Sequence, residues 1–521
     1  MAFISKYLFT PLLILLLTTP CIASAAEQQT LPYFEPAECM FAVPGESSRC
    51  GWVHVPEDRS NPDSTEIKLA VKIFKSTSPN PKPDPIIFLQ GGPGNPSLMM
   101  AAAGDFDRMV APFLAERDYI LLDQRGNGFS TPSINCTETS GWLENAQSFY
   151  TEDDFKADAI ESMARCRERL TAQGIRIESY NSNENAADVD AVRQALGIKK
   201  WNLVGVSYGS RLALTVMRNH PEHVRSVVIG SVSPPMAKYH WGIADAERLF
   251  RNLFDRCAAD PACNEAYPDL EAVFFKAIEK YNANPIRVVI ENPFPGSKID
   301  GQTIHWNFTG GQISGILYGE MYSAALLGKA PKLIYSMYEG DKETIKQLVT
   351  RNILIAPAYI SFGHLLAIDC MDSYAFETRQ SMKAAYDFHP RSGGLQWGRS
   401  MTYGKFVVDL CEAWVDTSQI DRSYQSAVFS DIPTLIMNGD LDSATPPDYA
   451  IMAAATLKNS QLFILNGVGH SPLVEGPCSI SMVKQFLDNP GGKVDASCME
   501  GAFPGVKFEL PGDPESPAPK H

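Results

Sequence analysis

The chain has 521 residues, 45% of them apolar, with 60 acidic and 45 basic side chains that give a formal charge of −15. That length is enough to bury a sizeable core and more than one structural unit. The acidic balance argues against a nucleic-acid partner, because such recognition rests on a basic surface.

Lys6, an apolar run over 8–17 and the small residues Ala23-Ser24-Ala25-Ala26 read as a secretory leader over 1–26. The run is shorter than the roughly 20 residues of a membrane span, and no later segment is long and apolar enough for one. No integral membrane association is expected, and the mature chain is expected to be secreted or periplasmic. Removing the leader takes Cys21 away and leaves an even ten of the 11 cysteines. An even count in an exported chain favours disulfides. Sequence order suggests the pairs Cys39–Cys50, Cys136–Cys166, Cys257–Cys263, Cys370–Cys411 and Cys478–Cys498.

Residues 67–73 alternate in apolar character, as a half-exposed strand does. An apolar strand over 85–89 then runs into Gln90-Gly91-Gly92-Pro93-Gly94-Asn95-Pro96. Successive glycines free backbone N–H groups to converge on an anion, and Pro93 stiffens the turn. A further strand over 118–123 leads into a loop containing Arg125, expected to pair with a buried carboxylate and hold that loop in place.

The next segment is the most informative. An apolar run from Trp201 enters Gly205-Val206-Ser207-Tyr208-Gly209, and a helix-compatible segment over 211–217 follows. Strand, sharp turn and helix are the context in which Gly-x-Ser-x-Gly becomes a nucleophile elbow, with a serine hydroxyl held above the sheet. After a strand over 224–229, roughly 200 residues intervene before the next one, far beyond a βαβ crossover of about a dozen residues. An insertion of that size is a domain or a large cap, and its sequence favours helices, for example over 269–280.

A buried strand over 432–437 then enters the polar loop Asn438-Gly439-Asp440-Leu441-Asp442-Ser443-Ala444-Thr445-Pro446. Two carboxylates compete there. Asp442 is favoured as the one that orients a base, because the loop has turned away from the strand by that point. Asp440 is left as a turn cap. A strand over 461–465 leads to Gly467-Val468-Gly469-His470, where the glycines let the ring swing toward the elbow. Ser207, Asp442 and His470 follow the chain order of a hydrolase triad. The oxyanion donors are expected to be the N–H groups of Gly92 and of Tyr208. No cysteine–histidine cluster has zinc spacing, and Asp440-Leu441-Asp442 lacks the glycine and terminal glutamate of a calcium loop. Neither metal nor cofactor is expected.

Taken together, Gln90 to Gly94, Asp123 to Ser130, Gly205 to Gly209, the Gly439…Asp442…Thr445-Pro446 loop and Gly469-His470 resemble the prolyl aminopeptidase and tripeptidyl aminopeptidase group of α/β-hydrolases. The resemblance is to its secreted branch with a TAP-like C-terminal segment, which the Cys411-Glu412-Ala413-Trp414 pattern also matches. It runs from about Gly51 to Cys498. One departure is Gln90, where the group usually has histidine.

The resemblance implies an α/β-hydrolase fold with a mostly parallel central sheet and a large, mainly helical cap insertion. The divisions are a leader over 1–26, a first core part over 27–235, a cap over 236–425, a second core part over 426–505 with the TAP-like segment, and a disordered tail over 506–521. It also implies a secreted serine hydrolase, an aminopeptidase releasing N-terminal residues or short peptides through an acyl-enzyme. A carboxylesterase or amidase acting on a non-peptide substrate with the same triad is the alternative, and a catalytically inactive binding protein a third reading. An aminopeptidase must bind an ammonium group, for which the candidates are Glu320, Asp369, Asp372 and Glu412. Tyr318, Tyr322, Phe362 and Trp414 are either an apolar substrate pocket or cap core.

Overall fold

The computed structural model describes residues 30–140, 152–291, 301, 303–322, 324–355, 360–389, 406–470 and 472–513. The segment over 1–26 expected to be a leader, with its Cys21, lies outside them. Nine strands form one sheet in the order β1-β2-β3-β5-β4-β6-β7-β10-β11. They are β1 (Tyr33–Ala37), β2 (Ser48–Pro56), β3 (Glu66–Phe74), β4 (Ile86–Leu89), β5 (Tyr119–Leu122), β6 (Trp201–Val206), β7 (Val224–Gly230), β10 (Thr434–Gly439) and β11 (Ser460–Leu465). The first three pairings are antiparallel and the rest are parallel. The fold is that of an α/β-hydrolase, with helices on both faces of a mostly parallel sheet.

The parallel strands read as continuous apolar runs because both faces are covered. All four residues of β4 are buried. One face packs against α2 (Ser182–Ala195) and α3 (Tyr208–Asn219), and the other against the C-terminal helix α11 (Gly476–Asp488). Register sets the level of the working rim. Leu89 of β4 lies opposite Gly205 of β6, Val206 opposite Gly230, and Gly230 opposite Met437. The loops that follow β4, β6, β7 and β10 therefore emerge at one edge, where ligands gather in open α/β sheets.

The cap follows β7. Its helices include α4 (Gly242–Ala259), α5 (Leu270–Ala283), α6 (Gly310–Glu320), α7 (Ala330–Glu339), α8 (Lys342–Val349), α9 (Phe362–Asp372) and α10 (Val407–Trp414), and an antiparallel hairpin of β8 (Ile286–Glu291) and β9 (Thr303–Phe308) interrupts them. One apolar cluster joins α4 to α8 and the hairpin. A second joins α9 and α10 to α1 (Glu152–Ala172), which precedes the elbow. Phe362 and Trp414 belong to that second cluster, so they are cap core rather than pocket. The C-terminus departs from expectation. Val506, Phe508 and Leu510 pack on the cap cluster, and the Glu509 N–H reaches Gly328 O at 3.0 Å. Those apolar side chains alternate with polar ones, a short-range pattern hidden by the proline-rich composition downstream. Residues 514–521 lie outside the described ones.

The five expected cysteine pairs are the five disulfides of the structure. Among the described residues, Cys136, Glu138 and Cys166 cluster closely enough for a metal, but the two sulfurs are bonded to each other. No helix among the described residues is long and apolar enough to cross a membrane.

Arg125 is fully buried and forks onto Asp188, with Nε to Oδ2 and a terminal nitrogen to Oδ1 both at 2.7 Å. It also donates to Ser179 O at 2.8 Å and Glu57 O at 2.6 Å. This ties the loop after β5 to α2. Removing Arg125 leaves the buried Asp188 charge to the partly exposed Arg59, 2.7 Å away. Arg125→Met is expected to cost about 3 kcal/mol, read as a lower urea midpoint at unchanged m-value.

Candidate active site

Ser207 joins β6 to α3 with φ 58° and ψ −127°, a region a non-glycine residue enters only under constraint. The constraint is crowding. A Cβ on Gly209 would overlap Leu89 O, and one on Gly205 would overlap Gly209 O. The turn closes only with glycine on both sides of the serine. The Ser207 N–H donates to Gly230 O at 3.1 Å and its carbonyl accepts from Ser210 N–H at 2.9 Å, so the backbone is fixed from both ends. The side chain is left half-buried on the rim.

The loop after β4 lies against this turn. A Cβ on Gly91 would come within 2.7 Å of the Ser207 Cβ. Gln90 folds back so that its Oε1 accepts the Gly91 N–H at 2.9 Å, while Gln124 Nε2 donates to Gln90 O at 3.0 Å. The glutamine that replaces the usual histidine thus pins the loop from within and consumes the Gly91 donor. Gly92 has φ 110°, open to glycine alone. Among the described hydrogen bonds, neither the Gly92 N–H nor the Tyr208 N–H donates to a protein acceptor. Both residues border the pocket that Ser207 enters.

Asp442 is fully buried, and four donors meet its carboxylate. Ala444 and Thr445 N–H groups reach Oδ1 at 2.9 Å, Thr445 Oγ1 reaches Oδ2 at 2.9 Å, and His470 Nδ1 lies 2.8 Å from Oδ1. Burial pushes this carboxyl up, but the His470 charge and these hydrogen bonds outweigh it and hold it below the usual range. The bond to Nδ1 fixes which imidazole nitrogen carries the proton and leaves Nε2 for other work. Asp440 has a different task. It accepts the Gly467 N–H at 2.7 Å and pairs with Arg256 at 2.6 Å, bracing the two loops and the cap. Among the described residues no hydrogen bond joins Ser207 Oγ to His470. Tyr322 and Thr445, both against the His470 ring, line the same pocket as Ser207.

The pocket encloses about 100 Å³. Core residues Gly92, Ser207 and Tyr208 form its floor, and Tyr318, Tyr322, Asp245 and Asp369 come from the cap. Of the four carboxylates expected to meet an ammonium group, only Asp369 is in this lining. Glu320 is buried against Arg351 and Asn352. Asp372 accepts from Ser182 Oγ, whose oxygen lies 2.8 Å from the Tyr208 phenol, and burial pushes its carboxyl up to about 6. Glu412 is an exposed partner of Arg379. These three lie outside the pocket lining, each held by an arginine, asparagine or serine partner distant in sequence.

Asp245, in the first turn of α4, was not legible. An acidic residue there reads as an ordinary complement to the helix dipole. Its one signal is topological, since α4 is the first full helix after the rim strand β7. Its Oδ2 accepts from Tyr449 at 3.0 Å, and burial pushes its carboxyl up to about 6.

Residues 84–256 match the family model for the alpha/beta hydrolase fold, and residues 396–498 match that for TAP-like protein. Serine protease Hip1 of Mycobacterium tuberculosis is 25% identical over 474 residues, covering 84% of each chain. Tripeptidyl aminopeptidase of Streptomyces coelicolor is 31% identical over 208 residues, 38% of each chain. Proline iminopeptidase of Xylella fastidiosa is 27% identical over 191 residues, 36% of this chain and 45% of that one.

The crowding at the elbow makes a direct prediction. Gly209→Ala forces backbone against backbone, so the variant is expected to lose more than about 3 kcal/mol, a drop in thermal midpoint of several degrees by calorimetry. Gly45→Ala, with open space around its Cβ position but φ 82°, should cost only about 1 kcal/mol.

Proposed function

We propose that this chain is a serine hydrolase of the α/β-hydrolase fold with a TAP-like carboxy-terminal segment, and that it acts as an exported aminopeptidase releasing N-terminal residues or short peptides. What supports the reading is one pocket that brings together the elbow serine, two N–H groups with no acceptor among the described residues and two carboxylates, beside the Asp442–His470 pair. Peptidase names among the relatives point the same way. Five disulfides and the leader-like sequence over 1–26 support export.

In this mechanism His470 Nε2 takes the Ser207 proton as Oγ attacks the scissile carbonyl carbon. Asp442, ionised and hydrogen-bonded to Nδ1–H, stabilises the imidazolium that forms. The carbonyl oxygen gains negative charge and is met by the Gly92 and Tyr208 N–H groups. The imidazolium then returns its proton to the leaving amine as the C–N bond breaks. Water, deprotonated by the same imidazole, cleaves the acyl-enzyme and releases Ser207. Asp245 and Asp369 receive the substrate's free ammonium, a charge-assisted contact that only an unblocked N-terminus can make.

Ser207→Ala is expected to abolish turnover of peptide anilides, and wild-type rates in that variant would overturn the mechanism. N-acetylation of the substrate should remove peptidase turnover; equal turnover of blocked and free substrates, with fast hydrolysis of short acyl esters, would favour the esterase reading. Asp245 is neutral below its raised value and charged above it. KM for a free-amine substrate is therefore expected to fall as pH rises through about 6, and Asp245→Asn should flatten that dependence. Because the folded-state value is raised, ionising Asp245 weakens the fold as pH climbs past the unfolded carboxylate range. Asp245→Asn should therefore melt higher than wild type at pH 7.5.

A further inference from the structure

Resting on that reading, the proposed triad divides mechanically between two bodies. Ser207 is fixed by β6, β7 and the loop after β4. The acid and base loops leave the same sheet but are gripped from the cap. Leu441, beside Asp442, is fully buried in the cap's apolar cluster. Arg248 on α4 donates to Asp442 O at 3.1 Å and Asp440 O at 3.5 Å. Tyr322, just past the end of α6, holds His470 in three ways. Its carbonyl accepts the His470 N–H at 2.8 Å. Its ring meets the imidazole edge-on, with centroids 4.8 Å apart. Its carbonyl also lies where a Cβ on Gly469 would approach within 2.5 Å, so the fit depends on glycine. The turn that presents Tyr322 is stiff. Met321 is buried in the cap cluster, Tyr322 N–H reaches Gly319 O at 3.2 Å, and Glu320 is bonded to Arg351 and Asn352.

We infer that Tyr322 is a positioning residue for His470, so that the cap must be seated for imidazole and serine to meet. Substrate that draws the cap down completes the nucleophile–base contact, and a raised cap carries the base away from Ser207. Tyr322 itself touches the base, and its effect on the reacting atoms passes through that ring.

The test compares Tyr322→Ala and Tyr322→Phe by steady-state kinetics and by the rate at which a fluorophosphonate labels Ser207. The alanine variant is expected to lose kcat and labelling rate by about tenfold or more, the scale of a small misplacement of reacting groups. Its KM should change far less. Phenylalanine keeps the ring edge and the carbonyl that meet His470, and should stay within about twofold of wild type. Wild-type kcat and labelling in Tyr322→Ala, or an equal loss in both variants, overturns the inference. A loss confined to KM overturns it as well, because that is a binding role. If the alanine variant does not fold, Tyr322→Leu, which fills the space without an aromatic edge, is measured by the same criteria. Absence of labelling in the wild type would instead defeat the serine-hydrolase reading, leaving the two failures distinguishable.

Discussion

The structure depends on steric exclusion at a single turn. Around Ser207 there is no room for a side chain at Gly205 or Gly209, and hardly any at Gly91. Backbone from β4, β6 and α3 is therefore in direct contact. That contact aims the hydroxyl out of the sheet and brings the loop after β4 beside it. It also starts α3 at Tyr208, whose N–H is one of the first-turn donors a helix leaves unpaired. Strain at φ 58° is tolerated because hydrogen bonds on both sides of Ser207 over-determine the geometry.

Around that fixed point the electrostatics divide by burial. Asp442 keeps its charge because four donors surround it, although it is shut off from water. Asp245 accepts from the Tyr449 hydroxyl, but burial dominates, so its charge appears only as pH rises. Two aspartates within one small region thus have opposite acidities. A carboxylate that is always charged suits orientation of an imidazole. One whose charge is costly suits a site where an incoming cation restores the balance. The loop after β4 shows the same economy with neutral groups. Gln90 satisfies one glycine N–H with its own amide and leaves the next one open.

The sheet and the elbow were legible because their signals are local. Glycine spacing at 205–209 and the apolar runs before each loop act within a few residues, and the chain order of serine, aspartate and histidine restricts which loops can meet. The choice between Asp440 and Asp442 rested on loop direction, and the two carboxylates now have distinct partners. The cap was legible only as an insertion of helices. Helical periodicity says which face is apolar but not what that face covers. Glu320 and Asp372 looked as eligible as Asp369 because their partners Arg351, Asn352 and Ser182 come from other elements. Tyr318 and Tyr322 reached the pocket while Phe362 and Trp414 entered the core, a difference in helix orientation that no one-dimensional pattern records.

The crosslinks have a mechanical consequence. Each of the five disulfides closes within one body: Cys39–Cys50, Cys136–Cys166 and Cys478–Cys498 on the core's share of the chain, Cys257–Cys263 and Cys370–Cys411 within the insertion. None rivets one body to the other. An oxidising milieu therefore hardens each half separately, while the seam between them keeps the compliance of its hydrogen bonds and side-chain packing.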